Sequence, residues 1–142
     1  MTAEPPVHAS TVALRLGGDW VAVLLLGPSG AGKSDLALRL MGRGWRLVSD
    51  DYTRLWASDG GLYAAAPERI AGRIEARGVG IVSAATRPMA RVILAVACVA
   101  EAVERLPEPQ TRGFAGVEIP VLALDPRDAS TVDKVAAAIR TL

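Results

Sequence analysis

The sequence contains one cysteine, Cys98, one histidine, His8, and only two lysines, Lys33 and Lys134. A lone cysteine excludes a disulfide framework and a zinc site built on cysteines. Cys98 lies inside an apolar run, where a thiol packs as a small, inert hydrophobe. The charges nearly cancel, leaving a formal net charge of +1 and no polybasic stretch. Charge therefore gives no reason to expect nucleic acid as a partner. No apolar run reaches about 18 residues, so no membrane-spanning helix is expected. No charged-then-apolar leader opens the chain, and the expected location is cytoplasmic. Internal repeats and low-complexity tracts are absent as well.

What is present is an apolar share of 51% over 142 residues. That is enough for one globular domain with one core, and far from the composition of a disordered chain. The expectation is a single domain over 1–142, with residues 1–7 as a short tail because Pro5-Pro6 blocks regular structure.

One stretch organises the rest. Gly27-Pro28-Ser29-Gly30-Ala31-Gly32-Lys33-Ser34 fits G-x-x-x-x-G-K-[ST], the phosphate-cradling loop, or Walker A motif, of nucleotide-binding proteins. At this composition a chance match is on the order of a few in a thousand. An apolar run over 20–26 leads in as a strand, and a helical pattern from Ser34 to Gly42 or Gly44 leads out. Glycines let the backbone turn tightly and point N–H groups at phosphate oxygens. The helix adds its free N–H groups and the positive end of its dipole. Lys33 suits the β- and γ-phosphates of ATP, and the Ser34 hydroxyl suits the Mg2+ that bridges them.

Around this loop the periodicities predict mostly strands. Residues 10–16 and 20–26 form a hairpin across Gly17-Gly18-Asp19. Residues 45–51 form a short strand ending in Asp50-Asp51. Residues 53–58 and 62–66 form a second hairpin across Asp59-Gly60-Gly61. The segment 71–82 is mixed, too rich in glycine for a helix and too charged for a core strand. Residues 91–99 read as a buried strand, 107–116 as a loop, and 117–124 as a strand bent or placed at an edge by Pro120. A last helix runs from an Asp128 or Ser130 cap to Leu142, with Val132, Val135, Ala136 and Ile139 on one face. The fold expected is an α/β phosphate-loop kinase domain with flanking β-hairpins.

The acidic pair fits that chemistry. An aspartate at such a strand end holds the magnesium shell, and a second carboxylate can accept the proton of an attacking hydroxyl. Alternation lets the two point differently, one to metal and one to substrate. Glu75, taken alone, is a solvated strand residue. His8, before the first strand, is either idle or set beside the acidic pair to tune it.

These pieces together resemble the catalytic domain of HPr kinase/phosphorylase. The matching stretches are His8, the loop 27–34, Arg43-Gly44-Trp45-Arg46-Leu47-Val48-Ser49-Asp50-Asp51, and Ile74-Glu75-Ala76-Arg77-Gly78-Val79-Gly80-Ile81. The resemblance runs from His8 to roughly Ser130. It implies an Mg-ATP-dependent protein kinase that phosphorylates a serine of HPr or of a nitrogen-type phosphotransferase carrier. It further implies phosphate binding by Lys33, Mg2+ ligation by Ser34, Asp50 and Glu75, and a general base at Asp51. His8 becomes the family's active-site histidine, Arg77 part of its signature segment, and Arg105 its later catalytic arginine. By resemblance the assembly is a hexamer. The chain is similar to the short form known from alphaproteobacteria, without the separate N-terminal domain of longer members. It departs from the family at Leu122-Ala123-Leu124-Asp125-Pro126-Arg127-Asp128. There the Gly-Arg-Asn end of a dephosphorylation segment is missing, so weak phosphorylase activity is the expectation. Two other readings stay open on the residues alone: a phosphate-loop kinase of a small molecule, and a nucleotide-dependent sensor without phosphotransfer.

Overall fold

The computed structural model describes residues 5–142. In chain order the elements are β1 (Val7–Leu16), β2 (Asp19–Leu26), α1 (Lys33–Met41), β3 (Arg46–Ser49), β4 (Tyr52–Ser58) and β5 (Gly61–Ala65). They continue with β6 (Arg73–Ala76), β7 (Gly80–Ser83), β8 (Met89–Cys98), β9 (Gln110–Phe114), β10 (Val117–Leu124) and α2 (Thr131–Arg140). Of the tail expected at 1–7, residues 1–4 lie outside the described residues, and Val7 already belongs to β1.

The domain is α/β but consists mostly of strands. The expected hairpins do not flank a separate core; they complete the sheet. β1 pairs antiparallel with β2 and β4, β4 with β5, and β5 with β8, and β8 returns parallel to β2. Five strands thus close a barrel-like ring. β3 adds to β1, while β10 runs parallel to β8 and carries β9 on its far side. β6 and β7 form a separate two-stranded sheet.

The apolar run of β2 is continuous because both of its faces are buried. Val23 and Leu25 join a cluster with Leu36, Leu40, Val135 and Ile139 of the two helices. Ala22, Leu24 and Leu26 point the other way, into a cluster inside the ring with Leu55, Leu62 and Val92. Ala9, Ala13, Ala64, Ala90 and Ala95 also face the ring interior. So small a barrel has little room inside, and alanines alternate with larger side chains to fill it.

Two expectations are corrected. Residues 110–114, expected within a loop, form β9. They are exposed except for Phe114, so no apolar alternation betrays the strand; its main chain is satisfied by β10 instead. α2 has Ser130 at its N-cap, as one reading expected, yet no side-chain cap hydrogen bond is made. Its first turn is held by Thr131, whose Oγ1 donates to the Asp125 carbonyl at 2.5 Å. Pro120 is tolerated because the β8 ladder begins one residue later, at Val121, so at Pro120 the strand is paired with β9 alone.

Leu36 is fully buried beneath the sheet, whereas Leu106 is 83% exposed. Leu36→Ala is expected to lower unfolding free energy by about 2–5 kcal/mol through lost burial and a residual cavity. Leu106→Ala is expected to stay within about 0.5 kcal/mol of the parent. Urea titrations followed by circular dichroism measure both.

Candidate active site

The loop 27–34 joins the end of β2 to the start of α1, as the motif requires. Gly27 (φ 146°) and Gly32 (φ 97°) lie where side chains are strained. Both are also crowded: a Cβ on Gly27 meets the Ala31 Cβ at 3.0 Å, and one on Gly32 meets the Pro126 ring at 3.1 Å. Lys33 is buried and turned back on its own loop, donating to the carbonyls of Gly27 at 2.7 Å and Pro28 at 2.9 Å. Cys98 closes the floor of the loop, its carbonyl 3.3 Å from that added Gly27 Cβ. Burial pushes the Cys98 thiol up to about 11, so it stays neutral and inert at ordinary pH.

Asp50 and Asp51 follow β3, and their environments are opposite. Asp50 is 8% exposed. Its Oδ1 accepts from Ser34 Oγ at 2.6 Å and from Ser10 Oγ at 2.8 Å, and its Oδ2 accepts from the Glu75 N–H at 3.1 Å. Asp51 has a side chain 57% exposed. Its Oδ1 lies 2.8 Å from His8 Nε2. An ionised carboxylate only accepts, so Nε2 carries the proton of that bond. The His8 ring is stacked on Tyr52, with centroids 5.1 Å apart, which fixes its plane.

The backbone at Asp51 is unusual. Its φ is 68°, and the Tyr52 N–H donates to the Asp50 carbonyl at 2.8 Å across it. A three-residue turn with a positive φ at its centre is the rare, strained form of γ-turn. Strain held at a non-glycine residue costs roughly 1–3 kcal/mol and collects at functional sites.

A cavity of about 760 Å³ opens between the loop and β6. Ser29, Gly30, Gly32, Lys33 and Ser34 line one side. Asp50, Asp51 and Glu75 face them, with Arg69, Arg73 and Arg77 at the rim. In β6 the buried Ile74 and Ala76 alternate with exposed Arg73 and Glu75, and Glu75 lines the cavity. His8 joins through Asp51. Arg105 does not: it lies on the exposed segment 99–109, outside the cavity lining.

The donor set suits a magnesium ion held jointly with a nucleotide. Mg2+ takes one or two carboxylates, substrate phosphates and its own waters. The Ser34 hydroxyl and the Asp50 carboxylate meet in one spot. Among the described residues no group of three or more histidines, cysteines and carboxylates forms a metal cage.

Sequence reasoning missed Ser10, Tyr52, Arg69 and Arg73. Ser10 and Tyr52 belong to no motif; the pairing of β1 with β3 and β4 brings Ser10 to the acidic pair and sets Tyr52 against His8. Alternation in 73–77 was the available signal for Arg73. The segment 122–128 lies against the loop through Pro126. Hydrogen bonds from the Arg127 side chain hold the Asp125 carboxyl down at about 2, so this pair stays ionised across ordinary pH.

The class defined here is an α/β domain whose glycine loop and helix face a carboxylate pair across a polar cavity. The family model described as HPr Serine kinase C-terminal domain matches residues 7–138, and the chain belongs to that family. A stretch of 62 residues is 44% identical to an HPr kinase/phosphorylase of Clostridium botulinum, and one of 67 residues is 49% identical to that of Brevibacillus brevis. These alignments cover 44% and 46% of this chain, and only 20% and 22% of the relatives' length. The solved Hpr(Ser) kinase/phosphatase of Coxiella burnetii superposes with a TM-score of 0.81 at 23% identity. The match covers 97% of this chain and 95% of that one, a likeness of fold.

The strained turn makes a prediction. Asp51→Gly and Asp51→Ala both remove the contact with His8, but glycine adopts a positive φ freely. The glycine variant is expected to be more stable than the alanine variant by about 1 kcal/mol, read from paired denaturant titrations. Equal stabilities would mean that the turn relaxes without cost.

Proposed function

We propose that this domain is an Mg-ATP-dependent protein serine kinase acting on HPr or a related phosphotransferase carrier. The observation that carries the reading is the division of the acidic pair. One carboxylate is buried on the loop serine, and the other is exposed, oriented by a histidine and facing the same cavity. Family membership supports the reading, as do relatives named HPr kinase/phosphorylase.

In this reading the loop 27–34 cradles the phosphates of ATP. Lys33 leaves its loop carbonyls to pair with them. Ser34 and Asp50, with Glu75 nearby, would hold Mg2+, which neutralises charge on the transferring group. The substrate's serine hydroxyl lies at Asp51, which accepts its proton as the oxygen attacks the γ-phosphorus, the bond to the bridging oxygen breaks and ADP leaves. His8 keeps Asp51 aimed. Phosphoryl transfer is loose, so placement matters more than base strength. The partner is a soluble carrier met in the cytoplasm, and the working assembly is a hexamer by likeness to the family. Arg105 contributes only if another element or copy brings it to the cavity.

Incubation with Mg-ATP and the host's carrier proteins, followed by mapping of the phosphorylated residue, tests the assignment. Label on one serine of a carrier is the expected result. Turnover of small metabolites without a carrier would favour a small-molecule kinase, and tight ATP binding without transfer would favour a sensor.

Lys33→Ala is expected to abolish transfer while leaving the circular dichroism spectrum unchanged. Asp51→Asn is expected to bind Mg-ATP like the parent and transfer about 10²–10⁴-fold more slowly. Asp50→Asn is expected to lose metal-dependent nucleotide affinity as well. Separate measurement of ATP affinity and transfer rate decides; swapped phenotypes would reverse the two roles.

Phosphorylase activity is expected to be weak, because the Gly-Arg-Asn end is replaced and Arg127 is engaged by Asp125. Release of phosphate or pyrophosphate from phosphoserine carrier measures it, and efficient release would overturn the expectation.

A further inference from the structure

Ser10 occupies a place where an apolar residue would pack. Along β1, Ser10 shares a face with Val12, which lies in the cluster beneath the helices. Ser10 is 0% exposed. A buried hydroxyl is costly unless its bonds are made. Here both are made to the acidic pair. The hydroxyl proton goes to Asp50 Oδ1 at 2.8 Å, and the oxygen accepts the Asp51 N–H at 3.2 Å. The second bond lands on the residue whose φ is 68°.

We propose that Ser10 is the positioning residue for the acidic pair, holding Asp51 in its strained turn through its N–H while anchored by its own bond to the Asp50 carboxylate. The turn is closed on one side by the Tyr52 N–H bond to the Asp50 carbonyl. Among the described residues only Ser10 holds the Asp51 N–H, and it does so from a different strand. When Ser10 is removed, Asp51 is free to leave the positive-φ region and its carboxylate swings from the cavity. The buried pair of Ser34 and Asp50 keeps its own 2.6 Å bond. The loss therefore falls on the exposed carboxylate, and on transfer more than on nucleotide binding.

The rate arm of the test rests on the kinase reading; the exchange arm does not. In Ser10→Ala, hydrogen exchange of the Asp51 amide is expected to speed up by about tenfold, with the amides of Val12 and Ala13 unchanged. The kcat for carrier phosphorylation is expected to fall about 10- to 100-fold at unchanged KM for ATP. Ser10→Thr, which restores the hydroxyl, is expected to recover both. Ser10→Cys matches serine in shape but bonds weakly; it is expected to behave like the alanine variant and carries the test if that variant does not fold. Faster exchange at Asp51 with unchanged kcat would reduce Ser10 to a structural residue and overturn the proposal. Unchanged exchange would overturn it too. If the parent chain transfers no phosphate, the kinase reading fails while the exchange result still decides whether Ser10 clamps Asp51.

Discussion

The Asp50 carboxylate is the point on which the rest of the site depends. It is buried, and its donors come from three places: β1 through Ser10, α1 through Ser34, and β6 through the Glu75 N–H. A buried charge is tolerated only when its lone pairs are occupied. Here that requirement gathers the glycine loop, the first strand and the signature strand around one group. The Ser10 hydroxyl that donates to Asp50 also accepts the Asp51 N–H, so one side chain sets where the next residue stands. Substituting either neighbouring serine thus perturbs an arrangement rather than a single contact.

The two carboxylates show how one dipeptide can supply two kinds of group. Asp50 exchanges water for hydroxyls and an amide, and its position is fixed. Asp51, one residue on, keeps access to solvent and a histidine at its side. The division does not come from strand alternation, as the sequence suggested. It comes from the positive φ of Asp51, which turns the chain sharply between β3 and β4.

The glycine motif between strand and helix, the first hairpin, both helices and the strand leading to Asp50-Asp51 were legible because each rests on local pattern: a motif, a turn cluster, a periodicity. The hairpin at 52–65 was legible as a hairpin but not as a member of the ring, since closure pairs residues far apart in sequence, such as Val21 with Arg91. β9 was hidden because an exposed edge strand has no apolar alternation, and Gly113 with the nearby prolines reads as loop. In the site, the loop residues, Asp50, Asp51 and Glu75 line one cavity and His8 reaches it through Asp51, with Arg105 apart. Ser10 and Tyr52 stayed invisible because a serine in a strand and a tyrosine after two aspartates carry no signal until the strands are paired.

The closed ring also bears on how the chain acquires its site in time. β1 and β2 can pair early through their short turn, and so can β4 and β5. The ring shuts only when β8, some 70 residues downstream, lays itself along β2. Such distant pairings are slow, because loop closure must precede any gain from contact. The floor of the glycine loop, where Cys98 ends β8, belongs to that last event. A nascent chain would therefore carry its glycine motif long before the cavity beside it is walled, and the site would take shape late and all at once.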